Sequence, residues 1–187
     1  MTMLVRDWMS APAVAASSSM EAPEALDLME KSKFRRLPVV EGGRLVGIIT
    51  RRDLEQALGR EPTTWRRLKL KLSDVMKANP LVVPPQETLE GVARLMLDRK
   101  IGGIPVVEDG APVGMITESD LFRALCKILG FGEKGTRIEF TAPAEGRLIE
   151  VLRERLKERE PRTLLAHLDE RRNSWEVILR LETPVVA

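Results

Sequence analysis

The chain has 187 residues, of which 43% are hydrophobic and 31% charged, and a formal net charge of +2. That length admits one large domain or two small ones, and so small a charge does not by itself point to nucleic acid. No stretch approaches the roughly 20 apolar residues of a membrane span, Arg6 and Asp7 interrupt any leader-like apolar start, and a single cysteine, Cys126, leaves no internal disulfide, so a cytoplasmic protein is expected.

With no Tyr, four Phe and three Trp, the core must come from Leu, Ile, Val, Met and Ala. A short extended segment is expected near Val14. From Glu24 to Lys33, Ala25, Leu28 and Met29 recur at helical spacing. Pro38-Val39-Val40 and Leu45 to Thr50 flank Gly42-Gly43, which predicts a hairpin, because primed turns need positive φ. A second helix follows Thr50, with Leu54, Ala57 and Leu58 on one face. Arg60 to Lys71 is a basic stretch interleaved with Trp65, Leu68 and Leu70. It is expected to be a linker with one apolar stripe docked on the rest. Binding to nucleic acid, a membrane surface or a partner protein is the alternative.

The order then repeats. Residues 5–58 align with 72–125 at a constant offset of 67 without a gap. Leu37-Pro38-Val39-Val40 matches Ile104-Pro105-Val106-Val107. Val46-Gly47-Ile48-Ile49-Thr50 matches Val113-Gly114-Met115-Ile116-Thr117, and Asp53-Leu54 matches Asp120-Leu121. Asp7 and Met9 match Asp74 and Met76. Such spacing indicates two copies of one β-α-β-β-α unit. Each copy alone would leave one apolar side exposed, so the two are expected to stack.

These motifs resemble the cystathionine-β-synthase (CBS) domain pair, or Bateman module: Asp-Trp-Met or Asp-Val-Met at the start, Leu/Ile-Pro-Val-Val before the hairpin, and Gly-hydrophobic-Ile-Thr-x-x-Asp-Leu after it, covering residues 4–130. The resemblance implies an α/β (α+β) fold with the tandem repeats packed as a pseudo-twofold pair, two clefts between the sheets, adenosine-type ligands and a disc-like homodimer. It also implies that Asp53 and Asp120 accept hydrogen bonds from ribose hydroxyls while Thr50 and Thr117 orient ribose or phosphate. A carboxylate is an acceptor-only group suited to a cis-diol, and a helix N-terminus offers free N–H groups for phosphate. Thr-x-x-Asp at a helix start is equally a capping pattern that needs no ligand. Both roles stay open.

The copies differ in charge. The first carries Phe34-Arg35-Arg36-Leu37 where the second carries Ile101-Gly102-Gly103-Ile104. Guanidinium forks suit phosphate oxygens, so AMP or ADP is expected at a site with Arg35, Arg36, Thr50 and Asp53. The site with Thr117 and Asp120 is expected to be empty or to take an uncharged adenosine moiety. A solvated face is the other reading of the two arginines.

Gly130 to Gly135 marks a boundary. Beyond it, Thr136 to Thr141 alternates like a strand, Ala144 to Arg159 reads as an amphipathic helix, Thr163 to Asp169 alternates again, and Trp175 to Leu181 puts Trp175, Val177, Leu179 and Leu181 on one face. This β-α-β-β order resembles the first half of an ACT-type, ferredoxin-like domain, with Gly146 at its strand-to-helix turn. CBS pairs with such tails resemble the acetoin-utilisation regulatory family. A half domain is expected to pair with a second copy. His167 stands alone, so no metal is assigned.

The expected organisation is a first CBS repeat (1–60), a basic linker (61–71), a second repeat (72–130) and a partial ACT-like domain (136–187). No nucleophile elbow, Walker loop, paired-Cys motif or His-Glu metal pattern is present, so no catalytic residue is assigned and no enzyme is expected. The leading function is a regulatory protein that senses AMP, ADP, ATP or S-adenosylmethionine and relays occupancy to an unidentified partner protein. A ligand-free dimeric scaffold and an amino-acid sensor acting through the tail are the alternatives. Neither nucleic acid nor membrane is expected as a partner.

Overall fold

The computed structural model of the protein describes residues 3–60, 69–132, 134–146, 148–157 and 159–182. Most of the expected basic linker, 61–68, lies outside the described residues. The chain forms two compact units, Met1–Leu121 and Phe122–Ala187, each described by itself.

In the first unit a 3₁₀ turn at Val5–Asp7 is followed by β1 (Ala16–Ser17), α1 (Ala22–Ser32), β2 (Arg36–Glu41), β3 (Arg44–Thr50) and α2 (Arg51–Arg60). The second repeat follows as α3 (Leu72–Val75), β4 (Lys77–Ala78), α4 (Leu89–Arg99), β5 (Gly103–Glu108) and β6 (Ala111–Thr117), and α5 (Glu118–Ile128) starts at its end. The helix α1 begins two residues before the expected Glu24, since Pro23 is accepted in a first turn, where its missing N–H leaves no gap. The hairpins turn through Gly42 (φ +55°) and Gly43 (φ +79°), and through Asp109 (φ +52°) and Gly110 (φ +85°), the paired positive φ of a primed turn. The duplication extends to detail: a register shift falls between Val39 and Val40 in one hairpin and between Val106 and Val107 in the other.

The two repeats are stitched together by exchanged segments. Lys77 and Ala78, which open the second repeat, pair with Ile48 and Gly47 of β3 and complete the sheet β1-β2-β3-β4. Ser10, which opens the first repeat, pairs with Met115 of β6. Each of these contacts is the image of the other at the offset of 67. The same holds for Glu21 opposite Lys71 and Leu4 opposite Thr88. The three-stranded sheet expected from one repeat therefore gains its edge from the other.

The core follows the same exchange. Ala16, Ala22, Ala25, Met29, Leu37, Val39, Ile49 and Leu54 of the first repeat enclose Leu72 from the second. At the corresponding positions, Val83, Leu89, Val92, Met96, Ile104, Val106 and Ile116 are buried, and Val5 is the counterpart of Leu72. Each Val, Leu, Ile or Met among them contributes roughly 1.5–3 kcal/mol on leaving water.

In the second unit, β7 (Thr136–Pro143), α6 (Leu148–Leu156), β8 (Pro161–Asp169) and β9 (Ser174–Leu181) form an antiparallel sheet of order β7-β9-β8. Val177, Leu179 and Leu181 are buried along β9, as the alternation predicts. The helix is shorter than the expected Ala144 to Arg159. A turn in which Gly146 N–H donates to the Pro143 carbonyl precedes it, and Lys157 at φ +53° ends it. Arg155 lies over the Phe140 ring at 5.1 Å, a cation–π contact. Asp169 closes the β8–β9 turn by accepting the N–H groups of Arg171 and Arg172. Cys126 is half-buried.

Candidate functional site: a basic cleft between the repeats

Thr50 ends β3 and Asp53 lies in the first turn of α2, and the two cap each other. Asp53 N–H donates to Thr50 Oγ1 at 3.2 Å, while Thr50 N–H donates to Asp53 Oδ2 at 3.2 Å and the Thr50 hydroxyl donates to the same oxygen at 2.6 Å. The capping reading of Thr-x-x-Asp is thus realised. Both bonds fall on Oδ2, which leaves Asp53 Oδ1 without a protein partner among the described residues.

This pair opens onto a cleft of about 260 Å³ lined by residues of both repeats. Arg36, Ile48, Thr50 and Asp53 come from the first. Lys77, Pro80, Leu81, the run Lys100 to Gly103, and Pro105 come from the second. The exchanged strand β4 brings Lys77 and the residues after it to the rim. Lys100 ends α4 in the left-handed region at φ +53°, its N–H donating to the Leu97 and Met96 carbonyls. That turn carries the chain along the cleft wall as Ile101, Gly102 and Gly103. A non-glycine residue in this conformation is sparsely populated, and Lys33 adopts it at the matching position, φ +56°.

Among the described residues the lining supplies three cations, Arg36, Lys77 and Lys100, against one carboxylate, Asp53. A cleft so charged favours an anionic ligand. Ile48, Pro80, Leu81, Ile101 and Pro105 add apolar surface, and such a mixture of apolar wall and few polar groups is typical of small-molecule sites.

Of the residues expected from sequence, the cleft brings together Arg36, Thr50 and Asp53. Arg35 is exposed and lies outside it. Thr117 and Asp120 also lie outside it. They form the same cap, Thr117 N–H at 2.9 Å and the Thr117 hydroxyl at 2.6 Å from Asp120 Oδ2, but Asp120 is only 2% exposed. Arg51, inside the Thr-x-x-Asp motif, is turned to the helices: it bonds Glu55 at 2.7 Å and Glu30 at 2.8 Å. The hydrogen bond to Glu55 raises its pKa above the ordinary value. Sequence reasoning missed Lys77 and Lys100. The repeat held one signal, since Lys33 and Lys100 follow the first helix of each copy. Among the described residues no cluster of three His, Cys, Asp or Glu is placed to hold a metal, and no helix is long and apolar enough to cross a membrane.

Residues 5–60 and 72–127 each match the CBS domain family. The chain belongs to that family. Its CBS pair is similar to a Vibrio cholerae protein assigned to acetoin utilization (AcuB), with 30% identity and a TM-score of 0.63 over 70% of this chain and 95% of that one. It is similar to CBSX2 of Arabidopsis thaliana, solved in complex with AMP, with 31% identity and a TM-score of 0.59 over 67% of this chain and 98% of that one. It is also similar to the CBS pair of protein MJ0100, solved with 5′-methylthioadenosine and S-adenosyl-L-methionine, with 31% identity and a TM-score of 0.60 over 68% and 98% of the two chains. The L-aspartate semialdehyde sulfurtransferase of Methanocaldococcus jannaschii is 34% identical over 122 residues, 64% of this chain, but the match spans only 23% of that enzyme.

Proposed function

We propose that the protein is a non-catalytic regulator whose CBS pair senses a phosphorylated adenosine ligand (AMP, ADP or ATP) in the cleft at Thr50 and Asp53 and relays occupancy to a partner protein. One observation carries this reading: a carboxylate with a spare oxygen, Asp53 Oδ1, shares a cleft with Arg36, Lys77 and Lys100. The carboxylate takes the two hydroxyl protons, the three cations neutralise phosphate, and the apolar residues meet the base. Adenosine-type ligands named for CBSX2 and MJ0100 support this chemistry. S-adenosylmethionine, a cation at its sulfonium, fits this basic cleft less well than an adenylate.

By the duplication, Lys33, Phe34 and Arg35 stand to Thr117 and Asp120 as Lys100, Ile101 and Gly102 stand to Thr50 and Asp53. Arg35 is therefore assigned to that second place, which takes an adenosine moiety only when Asp120 becomes accessible. The C-terminal β-α-β-β unit, with strand order β7-β9-β8, is on this reading half an ACT-like domain. We assign it to pairing with a second copy of the chain rather than to amino-acid sensing.

A thermal-shift screen separates the alternatives. The proposal expects stabilisation by AMP, ADP or ATP, because a ligand that binds only the folded state raises its apparent stability. A shift with amino acids alone would move the function to the tail, and no shift with any ligand would leave a scaffold.

A further inference from the structure

The cleft wall has a feature that the duplication does not share. A Cβ placed on Gly102 would stand 2.7 Å from Nη2 of Arg36 and 2.5 Å from Oε2 of Glu118. The guanidinium of the first repeat and the carboxylate of the second thus converge over one glycine, within about 5 Å of each other though not in a direct ion pair, a separation at which opposite charges near a protein surface still attract. Glu118 is held there by its own backbone, whose N–H donates to the Gly102 carbonyl at 3.4 Å. The Arg36 chain also runs along the next glycine: a Cβ on Gly103 would meet its Cδ at 3.1 Å. Two glycines in succession leave the room that Arg36 fills.

Nothing like this occurs at the matching positions. Gly102 corresponds to Arg35 and Glu118 to Arg51, and Arg51 is committed to Glu30 and Glu55. The Glu118 carboxylate therefore has no counterpart in the other repeat, and it stands beside Gly102 and Arg36 of the cleft lining.

We propose that Glu118 is a specificity-determining residue: its carboxylate, near Arg36 without a direct ion pair in this structure, competes with a ligand phosphate for that guanidinium. This rests on the reading of the cleft as an adenylate site. The carboxylate lowers affinity for every phosphorylated ligand, by competing for Arg36 and by repelling the anion, and leaves an uncharged nucleoside unaffected. It sets the concentration at which the cleft fills, and it ties filling to a change at the start of α5, since Glu118 is that helix's first residue.

The test is calorimetric titration of AMP and adenosine into the full-length chain and its Glu118→Gln, Arg36→Met and doubly substituted variants. Glu118 is exposed, so its replacement leaves the fold intact. The proposal expects Glu118→Gln to tighten AMP binding about fivefold, the upper range for an exposed pair, with adenosine unchanged. In the Arg36→Met background the same replacement should change AMP affinity less than twofold, because coupled residues are not additive. An unchanged AMP affinity in Glu118→Gln overturns the proposal, as does an equal gain for adenosine or a full gain without Arg36. If the unsubstituted chain binds no AMP, the adenylate reading fails and the proposal falls with it. If it binds AMP and ignores Glu118→Gln, only the proposal falls.

Discussion

The Thr50 hydroxyl donates to Asp53 Oδ2 at 2.6 Å, and Asp53 N–H donates back to the same hydroxyl at 3.2 Å. The bond holds Oδ2 at the helix start and leaves Oδ1 without a protein partner among the described residues. The cap and the proposed ligand site are thus one device, and a ligand can use Asp53 without the helix losing its N-terminus.

Asp53→Ala removes both roles. The expected stability loss is about 1 kcal/mol, the usual value of an N-terminal cap, with adenylate affinity down at least roughly tenfold for a charge-assisted pair of bonds. Asp53→Asn keeps a neutral acceptor and the cap, so urea unfolding should barely change while AMP binding still falls. Equal losses in both variants and both measurements would mean that the carboxylate serves the fold alone.

Lys77→Ala and Lys100→Ala each remove one cation from the cleft. AMP affinity should drop several-fold in each while adenosine affinity holds, and its salt dependence should weaken, because screening acts on the charges that remain. Titrations at two ionic strengths read both effects.

The adjacent arginines should behave differently. Arg36→Ala is expected to weaken AMP at the Thr50–Asp53 cleft, and Arg35→Ala is not, because Arg35 is outside that lining. Equal effects from the two, measured by calorimetry, would contradict the assignment of Arg35 to the other side.

Leu72 is fully buried in the core of a repeat to which it does not belong in sequence. Leu72→Ala should therefore destabilise the first repeat by about 2–5 kcal/mol, the range for a buried Leu. The two repeats should still unfold in one transition, since each carries part of the other's sheet. Two separate transitions by circular dichroism would show that the exchange is not cooperative.

Much of this architecture was readable in the sequence because it is local. The Gly42-Gly43 and Asp109-Gly110 turns, the Thr-x-x-Asp caps and the alternation along β9 each depend on residues a few positions apart. The offset of 67 then announced a pair. Hidden from that reading was what crosses between copies: Lys77 beside Ile48, Ser10 beside Met115, and Leu72 and Val5 exchanged. Periodicity reports which face of an element is apolar and not which neighbour covers it. Arg35 and Arg36 looked like a pair because they are adjacent, yet only Arg36 lines this cleft, and its charge is joined there by lysines distant in the chain. The end of α6 at Leu156 was missed because Lys157 takes positive φ without being glycine.

A crystal structure of the chain grown with AMP shows whether the cleft at Thr50 and Asp53 holds an adenylate. The ribose hydroxyls are expected within hydrogen-bonding distance of Asp53 Oδ1, and the phosphate among Arg36, Lys77 and Lys100. AMP bound elsewhere, or bound here with its ribose turned away from Asp53, would contradict the proposed site.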